Sequence, residues 1–358
     1  MLFSSTAVRF VALALAAFSP FAAAQVSITA TRISEKPLLS PTADTFYNAG
    51  IFNPAATTLP DGRILLLTRG QNEKGVSQIG TAISSDATGT HFTSDPTPVL
   101  TPQRPYEVGG GVEDPRLVKI RGSWLLSYTG YNGKDAQLCL ATSRDARHWQ
   151  RRGVILPAYR GTWNKQWTKS GAIIPVKING KWWMYYLGTR PLPGNEIADD
   201  RGGHTVDFMG LAVSSDLTHW QDATPEPVLA RRPNAFDSRV MEPGPPPIVT
   251  PAGILLLYNG ADSHLVYRTG WALFDLHDPS KLIARSDQPF FQPKLDWEKV
   301  GQVPSVVFLE GLVASRAADD TSQHFDAAKQ IDYRMLAYYG AADKYIGGVS
   351  LDIVVNKK

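Results

Sequence analysis

Five apolar segments that each end in glycine recur along the chain: Leu65-Leu66-Leu67-Thr68-Arg69-Gly70, Leu125 to Gly130, Trp183 to Gly188, Leu255 to Gly260 and Leu336 to Gly340. Ahead of each stands a polar or proline-containing turn: Asn53-Pro54, Asp114-Pro115, Lys169-Ser170-Gly171, Glu242-Pro243 and Pro304-Ser305. Turn and glycine are 16 to 18 residues apart in the first four copies and 35 apart in the fifth, where a polar loop around 317–331 is inserted. Three copies are followed by a Ser-x-Asp turn, at Ser84-Ser85-Asp86, Ser143-Arg144-Asp145 and Ser214-Ser215-Asp216. Ser and Asp side chains bond their own backbone and fix tight turns between strands. In the last two of these, a Trp (Trp149, Trp220) follows and is placed to pack between sheets.

A fixed period of this kind marks a repeat architecture. Each unit holds about four strands in roughly 60 to 70 residues, the size of one propeller blade. The expectation is an all-β chain folded as a five-bladed β-propeller. A β-sandwich has similar strand content but gives no reason for five copies in phase. The 26 Pro and 30 Gly and the scarcity of helical periodicity agree with strands and turns.

Residues 1–24 read differently. One positive charge at Arg9, an apolar run from Phe10 to Phe18, Pro20 and then Ala22-Ala23-Ala24 before Gln25 describe a secretory signal peptide. The run is shorter than the roughly 20 residues a spanning helix needs. The expected organisation is therefore a signal over 1–24 and one catalytic propeller over 25–358, in the periplasm or secreted. A lone cysteine, Cys139, forms no internal disulfide and reads as a small buried hydrophobe. The net charge of +3 has no basic runs, which argues against nucleic-acid or membrane partners. The seven histidines are scattered without ligand spacing, so no metal and no cofactor is expected. The oligomeric state is not legible.

In a propeller the innermost strands line a central channel, and equivalent positions converge at its mouth. Asn53, Asp114, Lys169 or Ser170, Glu242 and Ser305 are therefore expected around one funnel, with Arg69, Arg116, Tyr128, Asn259, Tyr338 and Asp343 about them. Asp114 and Glu242 belong to non-adjacent units, which sets two carboxylates across a pocket, as glycoside hydrolysis requires. Sugars present polar edges and an apolar face, so such pockets pair charged groups with aromatic rings; Trp163, Trp167, Trp182 and Trp183 are candidate platforms.

The segments Gly111-Val112-Glu113-Asp114-Pro115-Arg116-Leu117, Lys177-Ile178-Asn179-Gly180-Lys181, Pro245-Pro246-Pro247-Ile248, Val306-Val307-Phe308 and Tyr338-Tyr339-Gly340-Ala341-Ala342-Asp343 resemble glycoside hydrolase family 130, which holds β-mannoside phosphorylases and β-mannosidases. The resemblance implies a β-mannoside oligosaccharide substrate and inverting attack. Asp114 matches the family's general acid, which acts through a hydroxyl of the mannose, and Arg116 and Asn53 match residues lining the sugar and nucleophile subsites. Phosphorylases of the family typically carry His where this chain has Asn259, and His-Arg where it has Tyr186-Leu187. Water, unlike phosphate, needs a base. Glu242 is the first candidate for it and Glu310 the second, at roughly 6.5–9.5 Å from the acid in an inverting enzyme. The expectation is an exo-acting β-mannosidase, with a phosphorylase and a non-catalytic glycan-binding propeller as alternatives.

Overall fold

A computed structural model describes residues 26–161, 163–194, 196–314 and 330–356. The expected signal segment lies outside them. The chain opens with β1 (Val26–Arg32) and then makes an antiparallel meander of β2 (Gly50–Thr58), β3 (Ile64–Gln71), β4 (Ser77–Ser84) and β5 (Phe92–Ser94). A second meander is β6 (Gly111–Ile120), β7 (Ser123–Tyr131), β8 (Ala136–Ser143) and β9 (Gln150–Leu156); it joins the first sheet through one parallel pair, Ser77 with Gly111. The third is β10 (Thr168–Ile173), β11 (Trp182–Pro191), β12 (Thr205–Ser214) and β13 (Trp220–Asp222).

In the fourth, β14 (Val240–Pro243) and β15 (Ile248–Thr250) both pair with β16 (Gly253–Ala261), and β17 (Tyr267–Phe274) and β18 (Leu282–Arg285) follow. The proline run 245–247 separates β14 from β15, because proline supplies no ladder donor. After the one-turn helix α1 (Asp296–Lys299) come β19 (Val307–Ala314), β20 (Gln330–Ala341) and β21 (Tyr345–Asn356). β1 adds to the outer side of β21, so the first and last described strands lie side by side in the last sheet. The fold is all-β, built of five antiparallel meanders.

Burial grades outward across each meander. The first two strands are buried on both faces, as β2, β3, β6 and β16 show, whereas β1 alternates and β5, β9 and β18 are largely half-exposed. This is why the central strands read as unbroken apolar runs and not as alternating ones. The Ser-x-Asp turns are structural, as expected: the Asp145 carboxylate accepts from Arg147 and His148 N–H at 2.9 and 2.8 Å, and Asp216 repeats this with Thr218 and His219. Trp220 is buried in the main core cluster and Trp149 packs beside another.

A further repeat joins the sheets internally. Just before the first strand of each meander stands an aromatic residue followed by a polar one: Phe46-Tyr47, Tyr106-Glu107, Trp163-Asn164, Phe236-Asp237 and Trp297-Glu298. The rings of Phe46, Trp163 and Phe236 lie on glycines of the second and third strands; a Cβ on Gly80, Gly210 or Gly270 would sit 2.3 to 2.7 Å from another atom. Cys139 holds the corresponding place opposite Tyr128 in the second meander, which explains a small buried side chain there.

The polar partner then takes a tyrosine hydroxyl and an arginine. Tyr128 and Arg151 both donate to Glu107 at 2.9 Å, Tyr258 donates to Asp237 at 2.6 Å beside Arg285, and Tyr339 donates to Glu298 at 2.8 Å. In the third meander Tyr186 donates to Asp222 at 2.6 Å, with Arg160 alongside. The arginine for Glu298 is Arg32, bidentate at 2.7 and 2.8 Å, and it comes from β1.

Arg32 thus fastens the amino-terminal strand to the last meander. Replacing it with Ala leaves the Glu298 carboxylate buried and short of its cation, a change that costs about 3–5 kcal/mol when a buried pair is broken. Urea unfolding of Arg32→Ala is expected to show a loss of that size, and a loss under about 1 kcal/mol, the scale of an exposed pair, would show that β1 is not held this way.

Candidate active site

Of the five polar positions expected as turns ahead of the strands, four are not turns. These four lie inside the first strands, in three meanders at β-bulges, and the fifth, Pro304-Ser305, is a bend just ahead of β19. The register shifts between Phe52 and Ala55, between Glu113 and Arg116, and between Lys169 and Ala172. At each bulge one residue takes a left-handed backbone: Asn53 at φ 45°, Asp114 at φ 48° and Ser170 at φ 57°. Asn and Asp tolerate that region better than most side chains. A bulge breaks the alternation of faces, so neighbours can point the same way. That is how Glu113 and Asp114, adjacent in sequence, both reach one cavity.

The cavity has a volume of about 290 Å³ and is lined by Asn53, Arg69, Glu113, Asp114, Tyr131, Ala136, Trp167, Lys169, Arg201, Glu242, Tyr267, Val303, Val306, Phe308 and Asp343. It lies at the lower end of small-molecule sites, about 300–1,000 Å³, which suits one or two sugar rings.

Asp114 is gripped on one oxygen. Its Oδ1 accepts from Asn53 Nδ2 at 2.9 Å and from an Arg69 guanidinium N–H at 2.8 Å, which leaves Oδ2 for a ligand. Arg69 uses its second terminal N–H on Glu113 at 2.6 Å and its Nε on the Ser77 hydroxyl at 3.0 Å, and it rests over the Phe52 ring. Burial alone would raise the Asp114 carboxyl, but Arg69, Lys169 and the Asn53 amide outweigh it and hold Asp114 far below the usual carboxylate range. Without ligand Asp114 is therefore an anion.

Glu242 has the opposite character. Its carboxylate accepts the Ser170 hydroxyl, and burial raises it from an ordinary 4.5 to about 7 in spite of nearby Lys169 and Arg116. Asp343 is raised to about 6, again by burial against the pull of Arg69. Lys169 lines the cavity near Trp167, and its charge is sustained, against burial, by Glu113, Glu242 and Asp114. Two carboxyls of one cavity, one held ionised and one poised near neutrality, can divide acid and base work.

A model of glycoside hydrolase family 130, described as β-1,4-mannooligosaccharide phosphorylase, matches residues 30–356. The chain belongs to glycoside hydrolase family 130. A 1,2-β-oligomannan phosphorylase of Thermoanaerobacter sp. is 35% identical over 90% of this chain and 97% of its own length. A β-1,2-mannobiose phosphorylase of the same organism is 33% identical over 88% and 95%. A solved structure with 31% identity and a TM-score of 0.72, covering 93% of this chain and 95% of its own, carries the description that the GH130 family of mannoside phosphorylases contains glycoside hydrolases that target β-1,2-mannosidic linkages in Candida mannan. The relatives named for an activity thus favour the phosphorylase alternative over the hydrolase expectation.

Within this family 130 enzyme, the expected site residues divide. Asn53, Arg69, Asp114, Lys169, Glu242 and Asp343 line the cavity together. Arg116 lies behind it, wholly buried, donating to the Gly244 and Pro243 carbonyls at 2.9 and 2.6 Å, so it ties β6 to the fourth meander. Glu310 also lies behind the wall, paired with Arg116 at 3.3 Å and raised by burial above the ordinary carboxyl value, and it does not line the cavity as a base must. Ser305 precedes β19 and lines nothing; Asp343 supplies the polar group from the fifth meander instead.

Tyr128, Asn259 and Tyr338 are away from the cavity. Tyr128 serves Glu107, Tyr338 donates to the Gly89 carbonyl at 3.0 Å, and Asn259 bonds the backbone of Leu309 at 3.0 Å through both its amide atoms. All three sit on second strands, whose inner flank is already covered by the first. Among the tryptophans only Trp167 lines the cavity; Trp163 packs on glycine, Trp182 is core, and Trp183 bonds the Ile178 carbonyl. Glu113, Tyr131, Arg201, Tyr267 and Phe308 were not foreseen. Glu113 was hidden by strict alternation, and the others come from strand ends and a loop. Among the described residues no group of three or more His, Cys, Asp or Glu could hold a metal ion.

The raised Glu242 carboxyl has a stability consequence. A carboxyl shifted upward on folding favours the folded state fully below its unfolded value, and that advantage is lost as pH rises through about 4.5 to about 7. The full loss is at most roughly 3 kcal/mol at 1.36 kcal/mol per unit. Glu242→Gln is therefore expected to melt progressively higher than the parent between about pH 5 and about pH 8. An equal difference at both pH values would show that Glu242 does not carry this load.

Proposed function

We propose that this enzyme hydrolyses terminal β-1,2-mannosides with inversion, Asp114 serving as the acid and Glu242 as the base for water. The observation that carries the reading is Glu242: a carboxyl that lines the cavity with Asp114, is held by Ser170 and titrates at about 7. Water is a poor nucleophile and needs such a base; phosphate arrives as an anion and needs cations. Four carboxylates line the cavity, Glu113, Asp114, Glu242 and Asp343, against Arg69, Lys169 and Arg201, and Arg69 is already bound to two of the four. An added dianion meets a wall with no cationic surplus.

The terminal mannose would sit with its reacting carbon between Asp114 Oδ2 and Glu242. Seating a neutral sugar against Asp114 removes its last water without adding a cation, which raises its carboxyl toward a protonated, donating state. The proton then passes to the leaving oxygen while Glu242 takes one from water. The β-1,2 linkage rests on the two Thermoanaerobacter relatives and on the description of the solved structure.

The second reading is phosphorolysis, and the same two relatives favour it. Lys169 and Arg201 would then receive the phosphate, since neither side chain donates a hydrogen bond to protein among the described residues. Product analysis on β-1,2-mannobiose separates the readings: free α-mannose without phosphate supports hydrolysis, and mannose 1-phosphate formed only with phosphate reverses it. Asp114→Asn is expected to lose at least about a hundredfold in rate, the scale of acid catalysis. For hydrolysis kcat/KM is expected to be level below about pH 7 and to fall above it, because acid and base together need one proton and the free enzyme keeps that proton, on Glu242, only below about 7. Azide added to Glu242→Ala restores turnover as α-mannosyl azide if Glu242 is the base.

We also propose that the five meanders are the blades of a propeller. The first strands support it by touching in sequence, β2 with β6, β6 with β10, β10 with β14, and β19 back with β2. Export is proposed from residues 1–24 alone; amino-terminal sequencing of protein from the periplasm or medium is expected to begin at Gln25, and an intact Met1 on active cytoplasmic protein refutes it.

A further inference from the structure

The segment 196–204 between β11 and β12 is tied down more firmly than a connecting loop requires. Arg239, 4% exposed, donates to the carbonyls of Ile197 at 3.0 Å and Gly203 at 2.6 Å and reaches Asp199 at 3.4 Å. Arg231 grips Glu196 with two bonds of 2.8 and 2.7 Å. Asp200 N–H donates to the Ser263 carbonyl at 3.1 Å, and its carboxylate meets His264 at 3.1 Å. Inside the segment Asp199 Oδ1 accepts the N–H groups of Arg201 and Gly203 at 3.0 and 2.8 Å. Two arginines from the connection between the third and fourth meanders thus hold a loop of the third.

What this framework delivers is Arg201. Arg201 lines the cavity together with Asp343 and Tyr267, both of which feel its charge, and its side chain donates no hydrogen bond to protein among the described residues. Asn53, Glu113, Asp114 and Glu242 are all buried, whereas Arg201 is solvent-exposed, so it stands at the mouth and they stand at the floor. With the terminal sugar seated on the floor carboxylates, the leaving saccharide must point toward the mouth. A guanidinium offers five N–H donors in a rigid fork, suited to oxygens on adjacent ring carbons.

We propose that Arg201 is a specificity-determining residue that recognises hydroxyls of the leaving saccharide, with Arg239 and Arg231 positioning it. The proposal rests on the mannoside-cleaving reading above. It implies a preference for sugar leaving groups over leaving groups that lack hydroxyls, since only the former engage the fork.

The test compares β-1,2-mannobiose with 4-nitrophenyl β-mannoside. In Arg201→Ala the ratio of kcat/KM for mannobiose to that for the aryl mannoside is expected to fall by about ten- to a hundredfold, the scale of losing a charge-assisted hydrogen bond. Arg201→Lys, which keeps charge but not the fork, recovers part of the ratio. An unchanged ratio overturns the proposal, whether both substrates fall together or neither does. A loss seen only in the KM for phosphate also overturns it and makes Arg201 a phosphate ligand. Calorimetric titration in the Asp114→Asn background keeps the proposal separate from the activity itself. There Arg201→Ala lowers affinity for β-1,2-mannobiose relative to mannose if Arg201 reads the second sugar, and lowers both equally if it does not. Absence of turnover by the parent protein on either substrate counts against the activity, while the titration still decides Arg201.

Discussion

The construction depends on a buried carboxyl placed under a tyrosine hydroxyl and an arginine in each of several sheets. Glu107, Asp237 and Glu298 are wholly buried, and a lone carboxylate there would be strongly unfavourable. Each is satisfied by groups from different strands of its own meander, so it fixes the second strand, the outer strand and the incoming loop together. The aromatic residue beside it closes the same corner by lying on glycine, where any larger side chain collides. These corners stand away from the cavity, toward the outer strands. Because they secure each sheet from that side, the first strands are free to depart from regular pairing.

That freedom is used at the bulges. A left-handed Asp114 inside a strand is a local strain of the kind that persists only where the surroundings impose it. The surroundings here are Arg69 and Asn53 on one side of the carboxylate and Arg116 bonded to the Asp114 carbonyl at 3.2 Å on the other. One arginine therefore fixes the side chain and another fixes the backbone. The neighbouring Gly340 has the same origin: a Cβ there would lie 2.0 Å from Asn53 Oδ1, so the glycine that ends the fifth apolar segment makes room for the Asn that holds Asp114. Fold and site share that residue.

Much of this was legible in the residues. Five glycine-ended apolar runs gave the number of meanders, and the polar positions ahead of them gave Asn53, Asp114, Lys169 and Glu242, which the structure brings to one cavity. The second repeat, Phe46, Tyr106, Trp163, Phe236 and Trp297 each followed by a polar residue, was equally regular but no two copies share the same pair, so no literal motif announces it. Glu113 could not be read, because alternation sends neighbours to opposite faces and only the bulge overrules it. Tyr128, Asn259 and Tyr338 were misplaced for the reverse reason: polar side chains on second strands serve the corners and the joins between strands. Asn259 spends both amide atoms on Leu309, which commits its side chain to a join between strands and not to the cavity.

The choice of nucleophile comes down to what the floor of the cavity does with charge. Arg69 is the cation most deeply committed: each of its terminal nitrogens is bonded to a carboxylate, Glu113 or Asp114, so its charge is already shared between two anions before an incoming one arrives. Lys169 stands among Glu113, Glu242 and Asp114, whose combined field keeps it charged although burial opposes this. Were phosphate to bind there, its charge would add to three carboxylates already present, and the least costly relief is a proton taken up by Glu242, the one of the three held near neutrality. A protonated Glu242 is no longer a base. Water makes no such demand: it leaves Glu242 free to ionise beside Lys169, and the lysine then stabilises the charge the base needs. Under the proposed hydrolysis this pair would favour water with Glu242 ionised, whereas phosphorolysis, the activity named for the Thermoanaerobacter relatives, would call for Glu242 protonated.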